Sequence, residues 1–225
     1  MIYVHTASYA DLLLKETEIL RYAGYGTYQP IDTEMMGIRK IADEVKSAAT
    51  PRACCRILPI RTESGMVDFG AFQVHSHQLS KNLSGCKKAL LFSATVGVQI
   101  DRIIGKYSQV SPASAVIAQA AGTAAVESWC DLFLSGISES LKKEQTYLRP
   151  RFSPGYGDFA IAHQTEICRE LDTARKIGVS LTASLLMTPT KSVTAIVGIS
   201  NMDERCNQAG CEVCGKRKEC LYARG

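Results

Sequence analysis

Three features of the chain predict an α+β fold, a twisted, mainly antiparallel sheet flanked by helices. Strand-like and helix-like segments do not alternate strictly along the 225 residues, as a doubly wound sheet would require. One stretch, 111–141, reads as a single long Ala-rich helix. Short apolar runs, 88–95 foremost, have the continuous hydrophobicity of strands covered on both faces. Hydrophobic residues make up 46% and charged residues 21%, an ordinary globular balance that argues against disorder. A chain of this size needs no disulfide or metal to fold. One main domain over 1–200 and a Cys-rich tail over 201–225 are expected.

The elements follow in order. Residues 8–22 mix Leu12, Leu13, Ile19 and Leu20 with acidic and basic positions, as an amphipathic helix does, and Gly24, Gly26 and Pro30 end it. A second helix over 34–47 carries Ile38, Ile41, Ala42 and Val45 as its buried stripe, with Asp32 or Thr33 as its cap. Strands are expected at 53–61, 67–74 and 88–95, then a helix over 96–107. In the long helix the small residues Ala118, Ala120, Ala121, Gly122, Ala124 and Ala125 permit close approach of a neighbouring element. Pro150 and Pro154 impose an irregular segment, and a helix over 163–177 ends at Gly178. Strands 180–187 and 192–200 are close enough for an antiparallel hairpin.

The segment Arg149-Pro150-Arg151-Phe152-Ser153-Pro154-Gly155-Tyr156 is the first chemical signal. Prolines stiffen it, guanidinium forks suit a carboxylate or phosphate, Gly155 admits close backbone approach, and Tyr156 offers a ring and a hydroxyl. On these grounds alone it is either a site for a zwitterionic or nucleoside ligand or a rigid connector with surface arginines. Arg151-x-x-x-Gly155-Tyr156, preceded by the long Ala-rich helix and followed by a helix and an apolar hairpin, resembles the reactivation domain of cobalamin-dependent methionine synthase in its short stand-alone form. Tyr22-x-Gly24, Pro51-Arg52, Ala94-Thr95-Val96-Gly97 and Ala124-Ala125-Val126-Glu127 extend the resemblance over roughly 18–200.

That resemblance implies S-adenosylmethionine binding. Arg151 would hold the methionyl carboxylate, the backbone at Ser153 and Gly155 would line the adenosine, and Tyr156 would pack on the ligand. Glu127 would meet its ammonium or ribose; otherwise it is a helix-surface carboxylate. An acidic contact near the N-terminus is also implied, with no position assigned. The implied role is reductive methylation of a corrinoid methyltransferase, most simply methionine synthase. The chain would be an activation component, and cobalamin would arrive on a partner protein. The partners implied are a corrinoid-binding protein or methionine synthase modules, and an electron donor such as a flavodoxin or ferredoxin. A subunit of a split methionine synthase, a non-catalytic corrinoid chaperone and a metal-knuckle nucleic-acid binder are the competing readings.

Nine cysteines supply the second signal, with Cys206, Cys211, Cys214 and Cys220 packed into the tail. Four thiolates at this spacing suit zinc or an iron–sulfur cluster, or remain free redox thiols, and Lys216-Arg217-Lys218 favours the thiolate form. An iron–sulfur cluster there would lie close to chemistry that consumes an electron. Cys54 and Cys55 are expected on opposite strand faces as core fillers, and His75-x-His77 as a surface pair. No basic n-region precedes an apolar run, and no span is apolar enough for a membrane, so a cytoplasmic address is expected. The net charge of +4 is too thin for a nucleic-acid or anionic-membrane partner. Neither a dinucleotide nor a nucleoside-triphosphate motif is present.

Overall fold

A computed structural model describes residues 1–201. Its centre is a five-stranded antiparallel sheet in the order β1 (Tyr3–Thr6), β2 (Arg52–Pro59), β6 (Lys88–Thr95), β10 (Ser192–Ser200) and β7 (Tyr147–Leu148). β6 is central because its alternate residues bury in opposite directions. Leu90, Phe92 and Ala94 enter one core and Ala89 and Leu91 the other. Cys54 and Cys55 on β2 divide between the same two cores, as period-two geometry requires.

The first core is roofed by helices α1 (Glu16–Tyr22), α2 (Asp32–Ser47), α4 (Gln99–Val110) and the 31-residue α5 (Pro112–Lys142). α5 begins where the sequence indicates, with Ser111 as N-cap and Pro112 in the first turn. Its Ala118, Ala120, Ala121, Ala124 and Ala125 are buried, and Trp129 donates its indole N–H to the Arg52 carbonyl of β2 at 2.9 Å. On α2 the buried residues are Ile38, Ile41, Ala42 and Val45, the expected stripe.

The second core lies under a small sheet of β3 (Arg61–Glu63), β4 (Met66–Asp68) and β5 (Gln73–His75), with helices α3 (His77–Asn82), α6 (Gln164–Leu171) and α7 (Thr173–Ile177). Ile196 of β10 and Phe159 also belong to it. Sheet and helices thus form the mixed α+β architecture expected, with the long helix included. No described helix is long and apolar enough to cross a membrane.

Several element bounds differ from expectation. Residues 8–22 are not one helix: Ser8 caps a short 3-10 turn at Tyr9–Asp11, the chain then extends, and α1 starts only at Glu16. The extension lets Leu12 bury in the first core while the Leu13 N–H donates to Ser128 Oγ of α5 at 2.7 Å. α2 starts two residues early, at Asp32, so neither Asp32 nor Thr33 caps it; Glu34 accepts from the Ile31 N–H instead. Span 67–74 is split by a turn at Gly70 whose N–H bonds Asp68 Oδ1 at 2.7 Å. Asp172, at φ 48°, breaks the 163–177 helix in two, and Gly178, at φ 74°, closes it.

The expected hairpin between 180–187 and 192–200 does not form. Thr182 and Leu186 close a tight ribbon on themselves, pairing β8 (Ser180–Leu181) with β9 (Met187–Thr188). β10, apolar through Ala195-Ile196-Val197, is taken instead by β6 and β7, where both its faces are covered.

Phe92 is fully buried and its ring meets Phe133 of α5 at 5.4 Å. Phe92→Ala is expected to cost about 3–5 kcal/mol, read from chemical denaturation at unchanged fold.

Candidate functional site

One face of α5 turns away from the sheet. Ala124, Glu127, Ser128, Asp131, Leu132 and Ser135 follow helical spacing and form one wall of a cleft of about 550 Å³. The opposite wall is the N-terminal segment, held against the helix by the Leu13–Ser128 bond; Asp11, Lys15, Glu18 and Tyr22 line it. Arg151 enters from the segment that follows β7, completing the lining.

The sequence-selected pair Glu127 and Arg151 therefore meets. An Arg151 Nη2 N–H donates to Glu127 Oε2, and Asp131 Oδ1 lies 3.7 Å from the same nitrogen. Arg151 Nη1 is buried and has no hydrogen-bond partner among the described residues. Burial pulls the guanidinium pKa down, but Cys130, Glu127 and Asp131 beside it outweigh this and hold it above the ordinary value. Burial also raises the Tyr22 phenol, and the charge of Glu127 adds to the rise. Around the cleft four carboxylates stand against two basic side chains, so its potential favours a ligand carrying a cation.

Arg149 does not share the cleft with Arg151. Its backbone N–H donates to the Gly198 carbonyl at 2.8 Å and its side chain is buried, so one arginine of the pair faces the cleft. Phe152 and Ile196 then exchange backbone hydrogen bonds at 2.8 and 2.9 Å, and the chain turns away through Ser153–Gly157. Ser153, Gly155 and Tyr156 do not line the cleft. Gly155 holds φ 94° with its N–H on the Phe159 carbonyl at 2.7 Å, while Tyr156 is 69% exposed, its ring 6.5 Å from that of Phe152.

The cleft residues Asp131, Tyr22, Asp11, Lys15 and Glu18 were given no site role by sequence, Tyr22 entering only in the Tyr22-x-Gly24 block. Asp131 was within reach, since it stands four residues from Glu127 on one helix face. The N-terminal residues become neighbours through the packing of α1 on α5 and the Leu13–Ser128 bond across 115 residues, long-range contacts with no local sequence signal. Asp11 and Glu18 both supply acid near the N-terminus. Asp11 accepts from the Ser8 N–H at 3.0 Å, and Glu18 pairs with Arg21 at 2.5 Å.

Cys206, Cys211, Cys214 and Cys220 lie outside the described residues. Among the described residues no cluster of three or more His, Cys, Asp or Glu is arranged to hold a metal. His75 and His77 line a shallow depression with Asp158.

The fold belongs to a class already known in solved structures. The chain is similar to the crystal structure of the MetH reactivation domain bound to AdoHcy, with a TM-score of 0.68 over 91% of this chain and 80% of that one. Sequence identity is 15%, so the likeness is one of fold. No family model and no curated protein matches the sequence.

Burial pushes the Cys54 and Cys130 thiols up to about 12 and the Cys55 thiol up to about 11. Iodoacetamide at pH 8 is therefore expected to leave these three thiols unmodified in the native protein and to label them only in denaturant, by peptide mass spectrometry.

Proposed function

We propose that this chain binds S-adenosylmethionine and supports reductive methylation of a corrinoid carried by a partner, most simply methionine synthase. The observation that carries the reading is Arg151. Its guanidinium has one nitrogen engaged by Glu127 and another buried without a hydrogen-bond partner among the described residues, at the edge of an acidic cleft. A buried unpaired N–H costs about 1–3 kcal/mol, and a ligand carboxylate would recover it. The ligand's ammonium and sulfonium would lie among Glu127, Asp131 and the N-terminal carboxylates Asp11 and Glu18. Ser153, Gly155 and Tyr156 would then border the adenosine from the adjoining loop. The shared fold with a domain whose structure holds AdoHcy, the product of methyl loss from this donor, supports the same reading.

The chemistry asks little acid–base work of the protein. One electron from a flavodoxin- or ferredoxin-like donor takes cob(II) to cob(I). The cob(I) pair attacks the sulfonium methyl, a Co–C bond forms, the S–C bond breaks, and its electrons remain on sulfur to give S-adenosylhomocysteine. The leaving group is neutral and the nucleophile strong, so the chain contributes orientation. The tail cysteines Cys206, Cys211, Cys214 and Cys220 are proposed to hold zinc or an iron–sulfur cluster, the latter as a relay for that electron. A cytoplasmic setting suits both the reduced thiols and the partner.

Calorimetry with S-adenosylmethionine is expected to show micromolar binding, weakened about 10- to 100-fold in Arg151→Ala. No heat at millimolar ligand overturns the reading. For the tail, anaerobically purified protein is expected to contain stoichiometric iron or zinc, with a visible absorption band in the iron case. Colourless, metal-free protein rules out both metals.

A further inference from the structure

Helix α3 braces the loop that carries Gly155 and Tyr156. At the loop's entry, Asn82 Nδ2 donates to the Pro150 carbonyl at 3.3 Å. At its exit, the Asp158 carboxylate accepts from Ser76 Oγ at 2.5 Å, from the His77 N–H at 2.7 Å and from the Gln78 N–H at 3.2 Å. Gly157 sits against the same helix at φ 55°. A Cβ there would fall 1.9 Å from Gln78 Oε1, a side-chain end that can move aside, so it is the left-handed backbone that favours glycine.

The brace is itself anchored. Leu79 and Leu83 are fully buried in the second core, Ser80 Oγ donates to the Glu63 carbonyl at 2.6 Å, and the Ser76 N–H donates to the Gly65 carbonyl at 2.9 Å. Ser76 also closes the first turn of α3 by accepting from the Leu79 N–H at 3.0 Å. Among the described residues, Asp158 is the only side chain of the 152–158 loop hydrogen-bonded to this helix, and it ties three donors of one rigid element to one loop residue. Within the loop, the Tyr156 N–H on the Ser153 carbonyl and the Phe159 N–H on the Tyr156 carbonyl keep the intervening backbone in register with that anchor.

We propose that Asp158 is a positioning residue: through α3 it fixes the 152–157 loop, and with it Gly155 and Tyr156, in the conformation that receives the ligand. This rests on the ligand reading above. Ordering a loop during binding subtracts from affinity, and an anchor formed beforehand removes that cost. Asp158 touches no part of the Arg151 cleft, so its effect on the ligand is transmitted by the loop alone.

The test compares the full-length wild type with Asp158→Ala and Asp158→Asn. Amide hydrogen exchange over 153–159, calorimetry with S-adenosylhomocysteine and thermal melting are measured on each. Asp158→Ala is expected to speed exchange at Gly155 and Tyr156 and to weaken S-adenosylhomocysteine, each about tenfold, with exchange unchanged elsewhere apart from the His77 and Gln78 amides that Asp158 itself accepts. Asp158→Asn, which keeps one acceptor oxygen, is expected to recover part of both effects. If Asp158→Ala does not fold, Asp158→Asn carries the comparison and is expected to show the same loop-confined change at smaller size. Wild-type exchange rates in the loop of Asp158→Ala, or equal acceleration across the whole chain, overturn the proposal. A wild type that binds no S-adenosylhomocysteine overturns the ligand reading instead, and the exchange measurement still decides whether Asp158 holds the loop.

Discussion

Close approach of α5 to its neighbours is the constraint on which the rest of the structure depends. Over 118–125 the helix is packed through alanines and one glycine rather than through large side chains. At Gly122 a Cβ would stand 2.9 Å from Ile100 of α4 and 3.0 Å from Lys191, just before β10. That proximity leaves the Lys191 stem crossing the helix, with its amine donating to Thr123 Oγ1 at 3.1 Å. Burial lowers the pKa of this amine, and nearby Asp101 partly restores it. With the small residues committed to the sheet side, the polar residues of the same helix fall on the outer face. Glu127, Ser128 and Asp131 then form the cleft wall with Ala124, while Ala125 and Cys130 are buried behind them.

How far the fold could be read from sequence follows from where the information lies. β6, α2 and α5 were legible almost to the residue, because an apolar run, a 3.6-residue stripe and a Ser-Pro start are local signals. β1 and α3 gave none. β1 is an exposed edge strand made by pairing with β2, and α3 is six residues long. The 180–200 region misled for a physical reason. Two apolar strands joined by a short turn suggest a hairpin, yet β10 buries more by joining β6 and β7 than by pairing with its predecessor. The site divides the same way. Glu127 and Arg151 were chosen together and do meet, whereas Tyr22, Asp11 and Glu18 reach the cleft through a turn and an extension inside what sequence periodicity presents as one helix.

The cleft is electrostatically lopsided, and that asymmetry limits what it can hold. A simple anion gains Arg151 and Lys15 but faces Asp11, Glu18, Glu127 and Asp131. A simple cation gains the carboxylates but must compete with an Arg151 already lodged among them. A zwitterion satisfies both demands, because its carboxylate takes the unpaired Nη1 donor while its cationic end replaces the guanidinium as the partner of an acid. On the proposed reading, Glu127 therefore has two states. It neutralises Arg151 while the cleft is empty and shares itself with the ligand cation when it is filled.

Arg151 and Tyr156 belong to one sequence motif but to different structural supports, and the division follows from a single pair of bonds. Phe152 exchanges N–H and carbonyl with Ile196, so the chain is held to β10 immediately after Arg151. Everything before that point is fixed by the sheet and by Glu127 on α5. Everything after it depends on turns and on α3. A ligand spanning both halves would place its charged end against the sheet and helix scaffold and its flat, apolar end against the braced loop. The ion pairs that would hold the ligand's charged end then do not depend on the loop, since the Phe152–Ile196 bonds anchor the chain between the two halves. That separation suits a methyl donor that must stay bound while its methyl group is offered to a second protein.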